Sequence, residues 1–198
     1  MTKVLAGITT SVDGYVAGPD DGPGKGLGEG GERLHYWVFG GPWTYDESPR
    51  GEPIGADAVF FERMNSRIGA TIAGSGTYDA AEAWGGANPF RWPLFILGRA
   101  DTGTRSEGGF TFVDGFDDAL EQAREAAGDK DVSIMGGATT IREALRAGVV
   151  DELVLSIAPV VLGAGKPLFD ASLTWLRLTP TDVLQSTFAT HITYRVEH

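Results

Sequence analysis

The sequence comprises 198 residues, carries a formal net charge of −11 and contains no cysteine. The acidic charge disfavours binding to nucleic acid and to anionic membranes, and the lack of cysteine excludes disulfides and thiolate chemistry. The three histidines lie far apart and form no metal-binding motif. Since no segment is typical of a signal peptide or a membrane span, we expect a cytoplasmic protein with a single domain at 1–198.

Short apolar segments alternate with amphipathic segments along most of the chain. In chain order, the predicted elements are a strand at 4–9, a turn with a short extended piece at 11–18, a loop at 22–31, a short helix at 32–39, a loop at 40–55, a helix at 56–68, a strand at 70–74, a short helix or turn at 77–83, strands at 94–97 and 110–113, a helix at 117–127, and strands at 132–135 and 152–157. This alternation predicts an α/β fold with a mostly parallel central sheet flanked by helices.

The C-terminal part of the chain shows a different pattern. Its extended segments are predicted at 175–178, 183–187 and 191–196, with no helix between them. Turns are predicted at 180–182 and 188–190. In the last segment apolar residues alternate with polar ones, and His191 is on the polar side. Such alternation is typical of a half-buried strand, so we expect an antiparallel edge of the sheet here.

The segment 132–145 indicates a buried strand, a two-glycine turn and the start of a helix. Backbone N–H groups at a helix N-terminus are unpaired and bind anions such as phosphate. A side chain at Gly136 or Gly137 would block a ligand from approaching them. Thr140 and Glu143 have the spacing of a capping box. A glycine pair after a strand also occurs in ordinary tight turns, and that alternative stays open.

Four segments in a fixed order resemble one superfamily. They are VLAGITTSVDGYVAG at 4–18, GSGTYD at 74–79, MGGA at 135–138 and the strand and proline-containing loop at 151–169. Together they resemble the dihydrofolate reductase-like superfamily. The closest resemblance is to the branch that contains the C-terminal reductase domain of bacterial riboflavin-biosynthesis deaminase-reductases and its stand-alone relatives.

The resemblance implies that NADPH is the cofactor and that the substrate is a small heterocycle, as in 5-amino-6-(5-phosphoribosylamino)uracil reductase or dihydrofolate reductase. Cofactor contacts are implied at Ala6 and Ile8 beside the nicotinamide, at Asp13 and Gly14 in the loop covering it, and at Gly74, Ser75, Gly76, Thr77, Gly136, Gly137, Ala138 and Thr139 around the pyrophosphate. The chemistry of hydride transfer would belong to the cofactor. We also expect a homodimer.

Several positions depart from the family pattern. Ser75 replaces an arginine that helps to hold the 2′-phosphate of NADPH, and Arg99 is the best substitute, unless it is simply a solvated surface residue. Met135 replaces a glutamate and offers no strong acceptor, which disfavours the ribosylaminopyrimidine substrate. No acid aligns with the proton donor of dihydrofolate reductases. Glu32 and His35 are weak candidates for that role, and each could equally be a solvated residue at a helix start.

Aromatic residues are dense on the expected substrate side, where they could stack on a flat heterocycle or instead fill the core or a subunit interface. They are Tyr36, Trp37, Phe39, Trp43, Tyr45, Trp84, Phe90 and Trp92. Trp37 is the predicted substrate contact, together with Ser156, which could also be an ordinary strand serine. We predict an NADPH-dependent reductase. The alternatives are a nucleotide- or flavin-binding module without turnover and a structural dimeric protein.

Overall fold

The computed structural model describes residues 2–47, 50–98 and 105–198. Its strands are β1 (Val4–Thr10), β2 (Tyr15–Ala17), β3 (Ile68–Gly74), β4 (Leu94–Leu97), β5 (Arg105–Glu107), β6 (Phe110–Val113), β7 (Asp131–Met135), β8 (Glu152–Ile157), β9 (Lys166–Pro167), β10 (Arg177–Gln185) and β11 (Thr190–Glu197). Its α-helices are α1 (Tyr36–Phe39), α2 (Gly55–Arg67), α3 (Ser75–Ala80), α4 (Phe116–Ala127) and α5 (Ala138–Arg146), and 3₁₀ turns span Gly31–His35 and Glu82–Gly86.

Within the described residues, nine strands form one sheet in the order β10-β11-β8-β1-β7-β3-β4-β6-β5. The strands from β8 to β6 in this order pair in parallel, whereas β10, β11 and β5 join antiparallel. The predicted α/β fold with a mostly parallel sheet and an antiparallel C-terminal edge is therefore confirmed. β2 and β9 form a separate two-stranded ribbon.

The two faces of the sheet are covered by different elements. Val4 and Ala6 of β1 belong to a buried cluster with residues of α4 and α5, such as Leu120 and Ile141. Leu5 points to the opposite face, where its cluster contains Trp37 and Phe60. This division follows from the period of two along a strand. Burial on both faces explains why the central strands are almost continuously apolar.

Two of the parallel strands end in glycine turns that begin helices. β3 ends at Gly74, which is the N-cap of α3, and β7 is followed by Gly136 and by Gly137, the N-cap of α5. Because β3 and β7 are neighbours and parallel, both turns lie at the same carboxyl edge of the sheet. In open α/β sheets, ligands bind at this edge.

The C-terminal strands correct two sequence-based predictions. Pro180 lies inside β10, at a register shift, and not in a turn. β10 is the outermost strand on this side, which suits a proline because its missing N–H costs no hydrogen bond at an edge. β11 is covered on both sides by β10 and β8. His191 is only 1% exposed because its side chain points to a sheet face where Trp37 and Phe60 pack against it, so the prediction that it lies on the solvated side was wrong.

Three local predictions were also wrong or incomplete. The capping box of Thr140 and Glu143 does not form, because the N-cap of α5 is Gly137, three residues before Thr140, and it has no side chain. Ile68 was assigned to a helix but begins β3. The strand β5 was missed, since its sequence Arg-Ser-Glu carries no apolar pattern. None of the described helices has the length and apolar character needed to cross a membrane.

Candidate active site

A cleft of about 2230 Å³ covers the carboxyl ends of the parallel strands, and its lining also reaches Ile68 and Lys130 near the amino ends of β3 and β7. Pockets for one drug-sized ligand usually measure about 300–1,000 Å³, so this cleft has room for two ligands side by side. Both glycine turns line one part of it, and hydroxyl and aromatic side chains from β1, β8 and α1 line another. We call these parts the turn end and the hydroxyl end.

At the turn end, the two glycine turns fit closely against one another. A Cβ atom built on Gly74 would lie 2.5 Å from Thr140 Oγ1, so only glycine lets β3 approach α5 this closely. The second turn is equally close to α3: a Cβ atom built on Gly136 would lie 3.3 Å from Thr77 Oγ1, and one on Gly137 would lie 3.5 Å from it. Gly136 also has a φ of 50°, which disfavours other residues. The predicted cofactor residues of the two turns are thus brought together.

The same turns leave open space for a ligand. A Cβ on Gly76 would meet no atom within 4 Å, and Gly7 of β1 is equally free of neighbours. Both glycines line the cleft. Gly7 lies between Met135 and Val154 in the strand register, so a planar ring could lie flat against β1 there. Gly7 was not among the predicted contact residues, although a glycine inside a strand often marks a close approach of a ligand.

The residues at the turn end fit a dinucleotide diphosphate. α5 has nine residues and presents its N-terminal N–H groups beside Ala138 and Thr139, which line the cleft. Arg142 follows one turn later, with a guanidinium nitrogen 3.5 Å from Thr139 Oγ1. It also forms an ion pair with Asp170 at 3.1 Å. Arg99, the predicted 2′-phosphate contact, lies outside the described residues.

At the hydroxyl end, three buried side chains form a continuous hydrogen-bonded chain. Ser156 Oγ lies 2.8 Å from His191 Nδ1, and His191 Nε2 lies 2.8 Å from Asp57 Oδ1. All three side chains are almost completely buried, and only Ser156 reaches the cleft. Burial lowers the pKa of His191, although its hydrogen bond and attraction to Asp57 oppose this. A lowered pKa favours the neutral imidazole.

A second hydroxyl lies beside Ser156. Thr9 of β1 is the register partner of Ser156 on β8, so the two residues occupy neighbouring strands about 4.8 Å apart. Thr9 Oγ1 accepts a hydrogen bond of 3.0 Å from Trp37 Nε1. The indole of Trp37 also packs edge-on against His191, and the ring of His191 is stacked on Phe60. These aromatic rings fix both hydrogen-bonded groups in place.

The residues predicted to contact the nicotinamide are only partly brought to the cleft. Ile8 lines it, whereas the side chain of Ala6 is fully buried in the core. Asp13 accepts hydrogen bonds from the backbone N–H groups of Leu162 and Gly163 and thereby joins the loop after β1 to the loop after β8. Gly14 has a φ of 86° in that turn. Neither Asp13 nor Gly14 is part of the cleft wall.

The two weak proton-donor candidates differ in position. His35 lines the cleft, but burial lowers its pKa to about 4, which makes it a neutral group at pH 7. Glu32 does not belong to the cleft wall. Of the eight aromatic residues singled out from the sequence, all but Tyr36 line the cleft. Tyr36 instead packs against Phe188.

Comparison with known proteins agrees with this architecture. Residues 105–191 match the family described as the RibD C-terminal domain. The structure superposes on a putative riboflavin biosynthesis protein from Shewanella sp. PV-4 with a TM-score of 0.68, 23% identity and complete coverage of both chains. It superposes on dihydrofolate reductase from Enterococcus faecalis, solved with NADP(H), with a TM-score of 0.59, 16% identity and coverage of 99% and 97%. The chain has the dihydrofolate reductase-like fold.

The resemblance stated from the sequence motifs is thereby confirmed. One curated relative, the uncharacterized protein YyaP of Bacillus subtilis, is 58% identical over 40 residues. That match covers 20% of this chain and only 21% of the relative. In this dihydrofolate reductase-like fold, the cleft includes the carboxyl ends of the parallel strands, and the two glycine turns form one of its ends.

Sequence reasoning missed Asp57 and His191, which are 134 residues apart. Asp57 was inside a correctly predicted helix, and His191 was in a correctly predicted strand. The only signal was Asp57 at helical spacing from Phe60 and Phe61, whereas His191 shares its strand face with Thr193 and Arg195 and gave no signal. Such residues usually require a partner when buried, but the sequence does not say which one.

Proposed function

We propose that this protein is an NADPH-dependent reductase of a small heterocyclic substrate. The observation that carries the proposal is the convergence of the two glycine turns, on neighbouring parallel strands, at one end of a cleft large enough for two ligands. Backbone N–H groups at the start of α5 and the hydroxyls of Thr77 and Thr139 would hold the pyrophosphate. The resemblance to riboflavin reductases and dihydrofolate reductases supports this assignment.

The remaining cleft would position the substrate. A bound reduced nicotinamide supplies a hydride, and the protein must hold both rings in contact and exclude water. Gly7 leaves the space for ring stacking against β1. Trp43 and Trp92 are among the aromatic side chains that line the same cleft. The indole N–H of Trp43 is buried and has no hydrogen-bond partner among the described residues.

Met135 bears on which heterocycle is reduced. It lines the cleft and packs partly against the aromatic cluster around Phe110 and Phe112. A thioether is a weak acceptor, so a substrate that needs a carboxylate there would leave its N–H donors unpaired. We propose that the ribosylaminopyrimidine of riboflavin synthesis is turned over poorly or not at all.

The decisive experiment is a titration with NADPH followed by NADPH-oxidation assays. We expect saturable binding to the wild type and none to Gly137→Val, because the branched side chain would occupy the pyrophosphate position. Gly137 has an extended backbone and a Cβ there meets only Thr77 Oγ1 at 3.5 Å, so the variant should fold. Gly41→Val, in a loop where a Cβ meets no atom within 4 Å, is the control and should bind normally.

The assays would use dihydrofolate, the riboflavin intermediate and heteroaromatic imines. Binding of NADPH without oxidation by any of them would favour the alternative of a nucleotide-binding module. Unchanged affinity in Gly137→Val would reject the turn end as the cofactor site. Fast turnover of the riboflavin intermediate would reject the substrate argument based on Met135.

A further inference from the structure

The buried Ser156–His191–Asp57 chain determines how the hydroxyl end presents hydrogen bonds to a ligand. Asp57 lies in the first turn of α2, where the helix dipole stabilises a negative charge. A carboxylate can only accept hydrogen bonds, so the proton of the His191–Asp57 bond must be on His191 Nε2. In a neutral imidazole, Nδ1 is then an acceptor.

The tautomer of His191 fixes the direction of the next bond. Because Nδ1 accepts, the hydroxyl of Ser156 must donate its only proton to His191. The lone pairs of Ser156 Oγ that remain are the part available to the cleft. Ser156 therefore acts towards a ligand as an acceptor and not as a donor.

Thr9 acts towards a ligand as a hydrogen-bond donor. Its oxygen already accepts the N–H of Trp37, and an indole N–H can only donate. The hydroxyl proton of Thr9 has no acceptor among the hydrogen bonds of the described residues and is free to be donated. Thr9 is 7% and Ser156 4% exposed, and both line the cleft as partners on adjacent strands.

We infer that Thr9 and Ser156 form a donor–acceptor pair that recognises the edge of a cyclic amide, a ring N–H next to a ring carbonyl. Ser156 accepts from the ring N–H, and Thr9 donates to the neighbouring oxygen. Asp57 and His191 are positioning residues, because they reach the ligand only through Ser156. The inference rests on the proposed function and specifies its substrate class. It is compatible with Met135, since it requires only one ring N–H to be satisfied.

The first test needs no ligand. In ¹⁵N-histidine-labelled protein carrying His35→Asn and His198→Asn, only His191 remains. We expect its ring nitrogens to show a protonated Nε2 and an unprotonated Nδ1 at pH 7. Burial, which lowers the pKa of His191, supports a neutral ring at this pH. A protonated Nδ1 in the wild-type network would overturn the inference.

The second test compares two probes in the presence of NADPH, uracil and 1,3-dimethyluracil, which differ in their ring N–H groups. We expect uracil to bind at least about tenfold more tightly to the wild type, because a buried acceptor facing a methyl group is left unpaired. Ser156→Ala should remove this preference without changing NADPH affinity. Thr193→Val, which deletes another buried hydroxyl, on β11 and outside the cleft wall, should retain it.

Asp57→Asn tests the role of the carboxylate. An amide can donate to Nε2, which would move the imidazole proton to Nδ1 and turn Ser156 into a donor. We expect the ¹⁵N pattern to reverse and the preference for uracil to disappear. Asp182→Asn is the matched control, because Asp182 is an exposed acid on β10 that pairs with Arg63 of α2, the helix that carries Asp57.

Equal affinity of the two probes for the wild type, or an unchanged preference in Ser156→Ala, would overturn the inference. Failure of NADPH to bind would instead reject the proposed function and leave the tautomer result standing.

Discussion

The two ends of the parallel strands treat polar groups in opposite ways. At the amino ends, charged side chains satisfy one another. Arg67 forms ion pairs with Asp131 at 2.7 Å and with Glu152 at 2.8 Å, and Glu152 also binds Lys3 at 2.5 Å. Asp151 accepts the backbone N–H of Val4. At the carboxyl ends, glycines, hydroxyls and helix N–H groups surround open space. The amino ends therefore serve stability, and the carboxyl ends are free to bind ligands.

This difference leads to a simple expectation for substitutions. Changes at the carboxyl ends should reduce binding or turnover and leave the fold stable. Changes at the amino ends should reduce stability and leave catalysis of the folded protein intact. Active sites are generally built from groups that the fold leaves unsatisfied, which is why stability and activity separate in this way.

Gly7→Val should have the largest effect. Valine favours a strand, and a Cβ at this position meets no atom within 4 Å, so we expect unchanged or slightly higher stability. The side chain would project into the cleft between the cofactor and substrate positions. Misplacing a reacting ring by about 1 Å can cost about a hundredfold in rate, and we expect kcat/KM to fall by at least that factor. Steady-state kinetics with thermal unfolding would show both results. Normal turnover in this variant would contradict the expectation that changes at the carboxyl ends reduce activity.

Arg99→Ala should have the next largest effect, and only on one cofactor. Arg99 follows the carboxyl end of β4 by two residues in sequence. A charge-assisted hydrogen bond contributes about 1.5–3 kcal/mol, so loss of the 2′-phosphate contact should weaken NADPH about tenfold to a hundredfold. NADH, which lacks this phosphate, should bind as before. An equal loss for both cofactors, or none for either, would remove Arg99 from this role.

Arg67→Ala should affect stability instead. Removing it leaves the partly buried Asp131 without its ion-pair partner and leaves Glu152 with Lys3 alone. Breaking a fully buried pair costs about 3–5 kcal/mol. The Arg67 side chain is about a third exposed, so we expect about 2 kcal/mol. Arg63→Ala, which breaks an exposed pair with Asp182, should cost less than about 1 kcal/mol. Urea unfolding measures both, and equal losses would contradict the proposed role of the amino ends.

The pH dependence of stability should change in the same variant. Burial alone would raise the pKa of Glu152, but hydrogen bonds and charges from Lys3 and Arg67 outweigh it and lower the pKa. Because the pKa is lower in the folded state, this stabilisation is complete above the ordinary carboxyl pKa and is lost as the pH falls through the folded value. Arg67→Ala should therefore flatten the loss of stability on acidification below about pH 4.5.

How much of this was predictable from the sequence depends on the range of the interactions. The turn end was predictable because a strand, a glycine pair and a helix start are neighbours in the chain, as at 132–145. The main strands were predictable from their apolar runs. At the hydroxyl end, Trp37 and Ser156 were predicted as contacts, but the hydrogen-bonded chain was not, because Ser156, His191 and Asp57 come from three distant segments. Their pairing depends on the order of β11 and β8 in the sheet and on the packing of α2, which local patterns do not encode.

Asp13 tests a carboxyl-end group whose hydrogen bonds are made by the protein itself, and its effect should be the smallest. Its two oxygens accept the N–H groups of Leu162 at 3.1 Å and Gly163 at 2.7 Å. The Ser11 hydroxyl and these two N–H groups hold its pKa at about 2. The carboxylate therefore ties the two loops together above its ordinary pKa, near 4, and releases them only as the pH falls towards 2.

The variants Asp13→Asn and Asp13→Ala should differ in degree. The asparagine retains one accepting oxygen and the alanine retains none. We expect the amide hydrogens of Leu162 and Gly163 to exchange about threefold faster in the first variant and about tenfold faster in the second, since a single hydrogen bond changes the opening equilibrium by this order. Hydrogen exchange by NMR at pH 7 measures this directly. If catalysis falls in parallel with the faster exchange, the loop also orders the cleft. If exchange is the same in all three proteins, Asp13 does not tie the loops together. The difference between the carboxyl and amino ends of the strands would then apply only to the residues that line the cleft.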